Sequence, residues 1–213
     1  SMTKDKKQSK TGWRSWLALN KAFPIILIIF GLTGLLASSA INIEKVALLK
    51  DPNSELVCNI NPIYSCGNVI NSKQSSVFGF SNELMGIAMF SAIITVGVLV
   101  LSGSKLKPWI WKLFMLGMVG SMAFVLWFFY QSVYVIGSLC IFCSIVWFST
   151  WTISTALFAW AYDEKIITAP AGMQKIVAIK RKYIISIWLI LILTLVSLII
   201  KHFWFFYGPK FGF

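Results

Sequence analysis

Residues 136–160 read IGSLCIFCSIVWFSTWTISTALFAW, a run of 25 residues without one charged side chain. Wound as a helix at about 1.5 Å per residue, such a run crosses a hydrocarbon core of roughly 30 Å. Four further segments have the same character: Ala22–Ile41, Leu84–Leu101, Ile110–Tyr130 and Tyr183–Ile200. The chain is 58% hydrophobic and only 12% charged, with 10 Trp and 17 Phe, which excludes an ordinary soluble domain. The expected fold class is an all-α polytopic membrane protein with five transmembrane helices.

Orientation follows from the basic residues, because cytoplasmic loops near span ends hold Lys and Arg while translocated ones are depleted of them. Lys4, Lys6, Lys7, Lys10, Arg14 and Lys21 precede or open the first span, Lys105, Lys107 and Lys112 mark the second turnaround, and Lys165, Lys175, Lys180, Arg181 and Lys182 the fourth. The other side receives Lys45, Lys50, Lys73, Lys201 and Lys210. This places the N-terminus in the cytoplasm and the C-terminus outside. The formal charge of +12 then faces anionic lipid. Basic residues that border spans, with no folded domain between them, exclude a nucleic-acid partner. The organisation expected is a basic cytoplasmic N-terminus over 1–21, a core over 22–160 with an outer loop at 42–82, a cytoplasmic loop over 161–182, and a fifth transmembrane helix with a short external tail over 183–213. The first span lacks a small-residue cleavage pattern after it and is expected to stay as an anchor.

All four cysteines fall on the outer side of this topology, in two pairs. Cys140-Ile-Phe-Cys143 is a C-x-x-C at a helix start, with Ser138 as the expected N-cap. Residues three apart share a helix face and suit a disulfide. The positive end of the helix favours thiolates there. Cys58 and Cys66 close a short polar loop containing Pro62, a segment expected to move. Two pairs on one side of a bilayer, in a compartment where disulfides persist, suit a two-stage thiol–disulfide relay. A structural staple at Cys58–Cys66, or two inert thiols in a helix, are the plainer readings of each pair alone. A tetrathiolate zinc site would normally use two short C-x-x-C pairs in a reducing location, so no metal is expected. A disulfide-stapled transporter would show intramembrane charge or interrupted spans, and neither is evident. Glu83 is expected among the lipid headgroups, and His202 at the interface.

The stretch from Cys58 through Cys66-Gly67, Ser72, Val77-Phe-Gly-Phe80, Asn82 and Gly86 to Cys140–Cys143 resembles the vitamin K epoxide reductase family, with its bacterial disulfide-forming homologues. The resemblance covers about residues 22–160. It implies a four-helix transmembrane bundle around a quinone of the menaquinone, ubiquinone or phylloquinone type, with the fifth helix an addition known in bacterial members. It further implies a membrane thiol–disulfide oxidoreductase of the bacterial inner membrane, served by a separate thioredoxin-like (DsbA-like) extracytoplasmic partner. By the same resemblance Cys143 faces the quinone, Cys140 exchanges with Cys66, and Cys58 engages the partner. Asn82 corresponds to an asparagine that hydrogen-bonds a quinone carbonyl; a helix cap is its plainer role. Ser72 corresponds to a small hydroxyl residue near the loop's short helix. Trp147 stands where the vertebrate enzyme has a tyrosine, which tells against epoxide reduction as the activity, although Trp147 can still line a quinone pocket.

Overall fold

In lipid every backbone polar group must find its partner within the chain, so long uncharged runs can only be helices. The computed structural model describes residues 5–163 and 184–204, with the side chains of 22–161 and 188–204. Six helices account for most of them: α1 (Asp5–Lys50), α2 (Cys66–Ile70), α3 (Asn82–Leu101), α4 (Pro108–Tyr130), α5 (Ile141–Asp163) and α6 (Ile184–His202). Four segments are long and apolar enough to cross a membrane: Ala22–Lys50, Asn82–Leu101, Pro108–Ile136 and Ile141–Ala161. The apolar part of α6 among the described residues, Trp188–His202, is shorter. Most of the expected cytoplasmic loop over 161–182, and the tail after Trp204, lie outside the described residues.

α1 runs on beyond its expected end at Ile41 to Lys50, so the polar connection begins at Asp51. No Gly or Pro interrupts residues 42–50, and Asp51-Pro52 supplies the stop. Leu48, on this extension, and Ile41, just before it, pack into the cluster around the cysteines. α3 and α5 both lie against α1. The α1–α3 seam is close because glycines line it. A Cβ on Gly34 would collide with the Phe90 ring, one on Gly86 would sit 2.5 Å from Ser38 Oγ, and one on Gly97 3.2 Å from the Pro24 carbonyl oxygen. Small residues at such seams let dispersion replace a hydrophobic force that lipid does not supply.

α4 does not end at Tyr130 but continues as a π-helical turn over Gln131–Ile136. Gly137, at φ +69°, then breaks it in the left-handed region open to glycine. Ser132 Oγ donates to the Ser138 carbonyl at 2.6 Å and closes the reversal into α5. At the end of the bundle away from the cysteines, Phe23 stacks on Trp160 at 4.7 Å, and Trp111 meets Trp160 at 4.2 Å. Although consecutive, α3 and α4 stand apart across a cavity, bridged by Ser121 Oγ donating to Met89 Sδ at 2.7 Å.

Candidate active site

The loop pair is a disulfide, Cys58–Cys66, with Cα atoms 5.6 Å apart. The polar residues between these cysteines are committed to the shape of the loop. Asn61 Oδ1 accepts from the backbone N–H of Ile63 (2.9 Å) and Tyr64 (2.8 Å). Asn59 Oδ1 accepts from Gly67 N–H at 3.1 Å and from Ser65 Oγ at 3.2 Å. Ser65 caps α2 by accepting from Asn68 N–H. The loop then docks on the turn before α5: Leu139 N–H donates to the Ile63 carbonyl at 2.7 Å and Ser65 N–H to the Leu139 carbonyl at 3.0 Å. That register sets the residues that follow, Cys66 and Cys140, side by side. Their sulfurs are 3.0 Å apart.

Cys140 and Cys143 are free thiols. Ser138 is not the N-cap of α5. Its Oγ instead accepts from the Asn68 side-chain amide at 3.0 Å, tying the turn to α2. Cys140 takes the capping position: its carbonyl accepts from Ser144 N–H at 3.0 Å, and its Sγ from Cys143 N–H at 3.4 Å. Cys140 lies just outside the span Ile141–Ala161. The hydrogen bond from the Cys143 side chain holds its thiol below the ordinary value against the opposing effect of burial, and backbone N–H groups of Cys143 and Phe142 act in the same direction. A sulfur at a helix N-terminus, biased toward thiolate and beside a disulfide, can attack that disulfide or leave from it.

The four cysteines are all buried, Cys58 to 3%, Cys66 and Cys140 to 0% and Cys143 to 8% exposure, in one cluster with Leu56, Val69, Ile70 and Phe128. Of the apolar residues in the polar loop, Val57 and Ile60 stay exposed while Leu56 and Ile63 turn inward, and Ile63 packs with Leu139 and with Phe203 at the end of α6. Joining Cys58 to Cys66 also withdraws two of the four thiolates a zinc site would need.

Behind Cys143 lies a cavity of about 680 Å³ between α3, α4 and α5. Its walls include Met85, Met89, Phe114, Phe124, Phe128, Val146 and Trp147, with a few polar groups at Ser38, Ser75, Asn82, Glu83 and Thr150. Trp147 meets Phe129 and Phe128 edge-on at 5.5 Å and 6.4 Å, so its ring is a fixed part of the wall. Asn82 also reaches this wall, yet its amide ties α3 to the loop. Nδ2 donates to the Gln74 carbonyl at 2.6 Å, and Oδ1 accepts from Val77 N–H at 3.3 Å. One of its two N–H donors remains for a ligand. Ser72 Oγ donates to the Val69 carbonyl at 2.7 Å, holding the exit from α2.

Glu83, in the first turn of α3, is turned into the protein. It is buried to 7% and lines the cavity, with Lys45 Nζ 3.7 Å from Oε1. The signal available in the sequence was a lone acid opening an otherwise apolar span, which by hydropathy reads equally as an interfacial residue.

A search of curated proteins gave no match. The model of the Vitamin K epoxide reductase family matches residues 25–162, well over half of the chain and including all four cysteines. Four helices able to span a membrane, and two cysteine pairs set for a redox relay, agree with that match. The chain belongs to the vitamin K epoxide reductase family, whose members are membrane redox enzymes with a quinone-type cofactor.

Proposed function

We propose that this protein is a membrane thiol oxidase that reoxidises a thioredoxin-like extracytoplasmic partner and passes the electrons to a quinone. The observation that carries this reading is the position of the C-x-x-C: Cys140 Sγ is 3.0 Å from Cys66 Sγ, and Cys143 lines the cavity. One thiolate of the partner attacks Cys58 and releases Cys66, and the partner's second thiol then displaces Cys58, so the partner leaves as a disulfide. The Cys66 thiolate then attacks Cys140 of an oxidised Cys140–Cys143 pair and releases Cys143. Cys58 closes on Cys66 and frees Cys140. Each exchange moves two electrons and restores the number of disulfides. A joined loop pair with free inner thiols, as seen here, is the arrangement that follows this sequence.

The cavity suits a quinone. Its volume lies within the range of about 300–1,000 Å³ usual for small-molecule sites, and its walls are apolar and aromatic. Thr150 Oγ1 on the wall is buried without a hydrogen-bond partner, a donor free for a carbonyl oxygen. Asn82 and Thr150 would hold the polar head, and Phe128 and Trp147 its ring. When bound, a quinone supplies an acceptor for two electrons and two protons. In this reading residues 22–160 form the catalytic core, and the basic 1–21 and 161–182 segments face the cytoplasm of a bacterial inner membrane. The loop side is then extracytoplasmic.

The test uses purified protein, quinone, and either a small dithiol or a reduced thioredoxin-fold protein. Cys58→Ser should retain quinone reduction with the small dithiol, which can work on Cys140–Cys143, and lose it with the protein substrate. Protein-substrate oxidation at the unaltered rate in Cys58→Ser, or oxidation independent of quinone in the parent protein, would refute the reading.

A further inference from the structure

Glu83 opens the second membrane-length helix with a side chain only 4% exposed, on the same cavity wall that Cys143 reaches. Burying a carboxylate there is costly, and intramembrane acids are mostly retained for ion or proton traffic. Its Oε1 has no hydrogen-bond partner. Lys45 Nζ, 3.7 Å away, is an ion-pair partner beyond hydrogen-bond range. Lys45 descends from the extension of α1 and also donates to Ser75 Oγ at 3.3 Å and to Ser76 Oγ at 3.2 Å, the latter contact exposed. A single ammonium thus connects the loop-side surface to the cavity wall.

We propose that Glu83 is the acid that delivers a proton to the quinone as it is reduced, and that Lys45 resupplies Glu83 from the loop-side surface. This rests on the quinone reading given above. The S–H bonds of Cys140 and Cys143 break as their S–S bond forms, and two electrons leave for the quinone. The pair starts ionised: Lys45 passes its proton to the Glu83 carboxylate, one quinol O–H takes that proton from Glu83 Oε1, and the other takes its proton from a departing thiol. The second thiol proton goes to water, and water returns a proton to Lys45. Two protons leave sulfur and two reach oxygen, with no net charge moved.

The test compares the parent protein with Glu83→Gln, which keeps the shape of the side chain but cannot ionise, with Glu83→Asp, and with the double variant Lys45→Met/Glu83→Gln. The double variant removes both charges, so no unpaired ammonium is left buried if the single variant folds poorly. Three quantities are read: quinone affinity from tryptophan quenching without any thiol present, loop-to-C-x-x-C exchange by alkylation mapping, and single-turnover quinone reduction by the pre-reduced protein. The expected result is turnover slower by about 100-fold in both Gln-bearing variants, the scale of general acid catalysis. Affinity and exchange should be unchanged, and Glu83→Asp should recover much of the rate. Normal turnover in the Gln-bearing variants would overturn the proposal, as would a loss of affinity matching the loss of rate. If the parent protein reduces quinone and the Gln-bearing variants equal it, only the role of Glu83 falls. If the parent protein neither binds nor reduces quinone, the acceptor reading falls and takes this proposal with it.

Discussion

Replacing Cys58 and Cys143 together by Ser leaves one thiol on each side of the relay, Cys66 and Cys140, and should trap them as a disulfide. Both are fully buried with sulfurs 3.0 Å apart, so a bond of about 2.05 Å requires a movement of roughly 1 Å. The native loop disulfide spans a sequence separation of 8, and the loop-entropy relation gives it about 2.5 kcal/mol. The trapped bridge spans a separation of 74, for which the same relation gives about 4.5 kcal/mol. Exchanging one for the other should therefore stabilise the oxidised protein by at most about 2 kcal/mol, since spans that stay helical after detergent denaturation have less entropy to lose. In a chain of this size that corresponds to a rise in Tm of up to roughly 4–8 °C, abolished by reductant. Peptide mapping should find the Cys66–Cys140 pair in nearly all molecules, and thermal unfolding with and without reductant gives the shift. An absent bridge, or a bridge that lowers Tm, would show that the two sulfurs are not neighbours in the folded protein.

Cys143→Ser should abolish quinone reduction while the chain still inserts and folds, since the thiol adjoins a cavity and little packing is lost; retained quinone reduction would remove Cys143 from the electron path. Asn82→Ala deletes the bonds to the Gln74 carbonyl and Val77 N–H. It should cost about 1–3 kcal/mol in unfolding and weaken quinone binding, leaving exchange between the cysteine pairs intact. Gly86→Val puts a Cβ 2.5 Å from Ser38 Oγ and should separate α1 from α3, at about 1–3 kcal/mol. At Gly117 an added methyl meets nothing within 4 Å, so Gly117→Ala should unfold no earlier than the parent protein, and the contrast between the two glycines is the check.

Four of the membrane helices were legible because an uncharged run of bilayer length has only one way to satisfy its backbone in lipid, whereas the apolar part of α6 among the described residues, Trp188–His202, is shorter than the fifth span expected at Tyr183–Ile200. The ends of these helices were less so. Residues 42–50 read as loop because their polarity rises, yet polarity does not stop a helix, and only Asp51-Pro52 does. The boundary near Cys140 shifted for a related reason. Hydropathy runs unbroken from Ile136 through the turn, and the break depends on the left-handed conformation of Gly137. Ser138 looked like the cap by residue type, but its hydroxyl is engaged by Asn68, which is distant in sequence.

The sequence by itself determined the membrane class of the chain, the pairing of its cysteines by position, and the family to which it belongs. Those properties are written in composition and spacing, which are local. The tertiary structure decided which sulfur stands beside which, since the approach of Cys66 to Cys140 comes from a backbone register between Ile63, Ser65 and Leu139 that no local pattern encodes. It also decided that Glu83 is a buried cavity residue. Burial of a charge depends on what other segments bring to it, here Lys45 from the extension of α1 and the gap between α3 and α4.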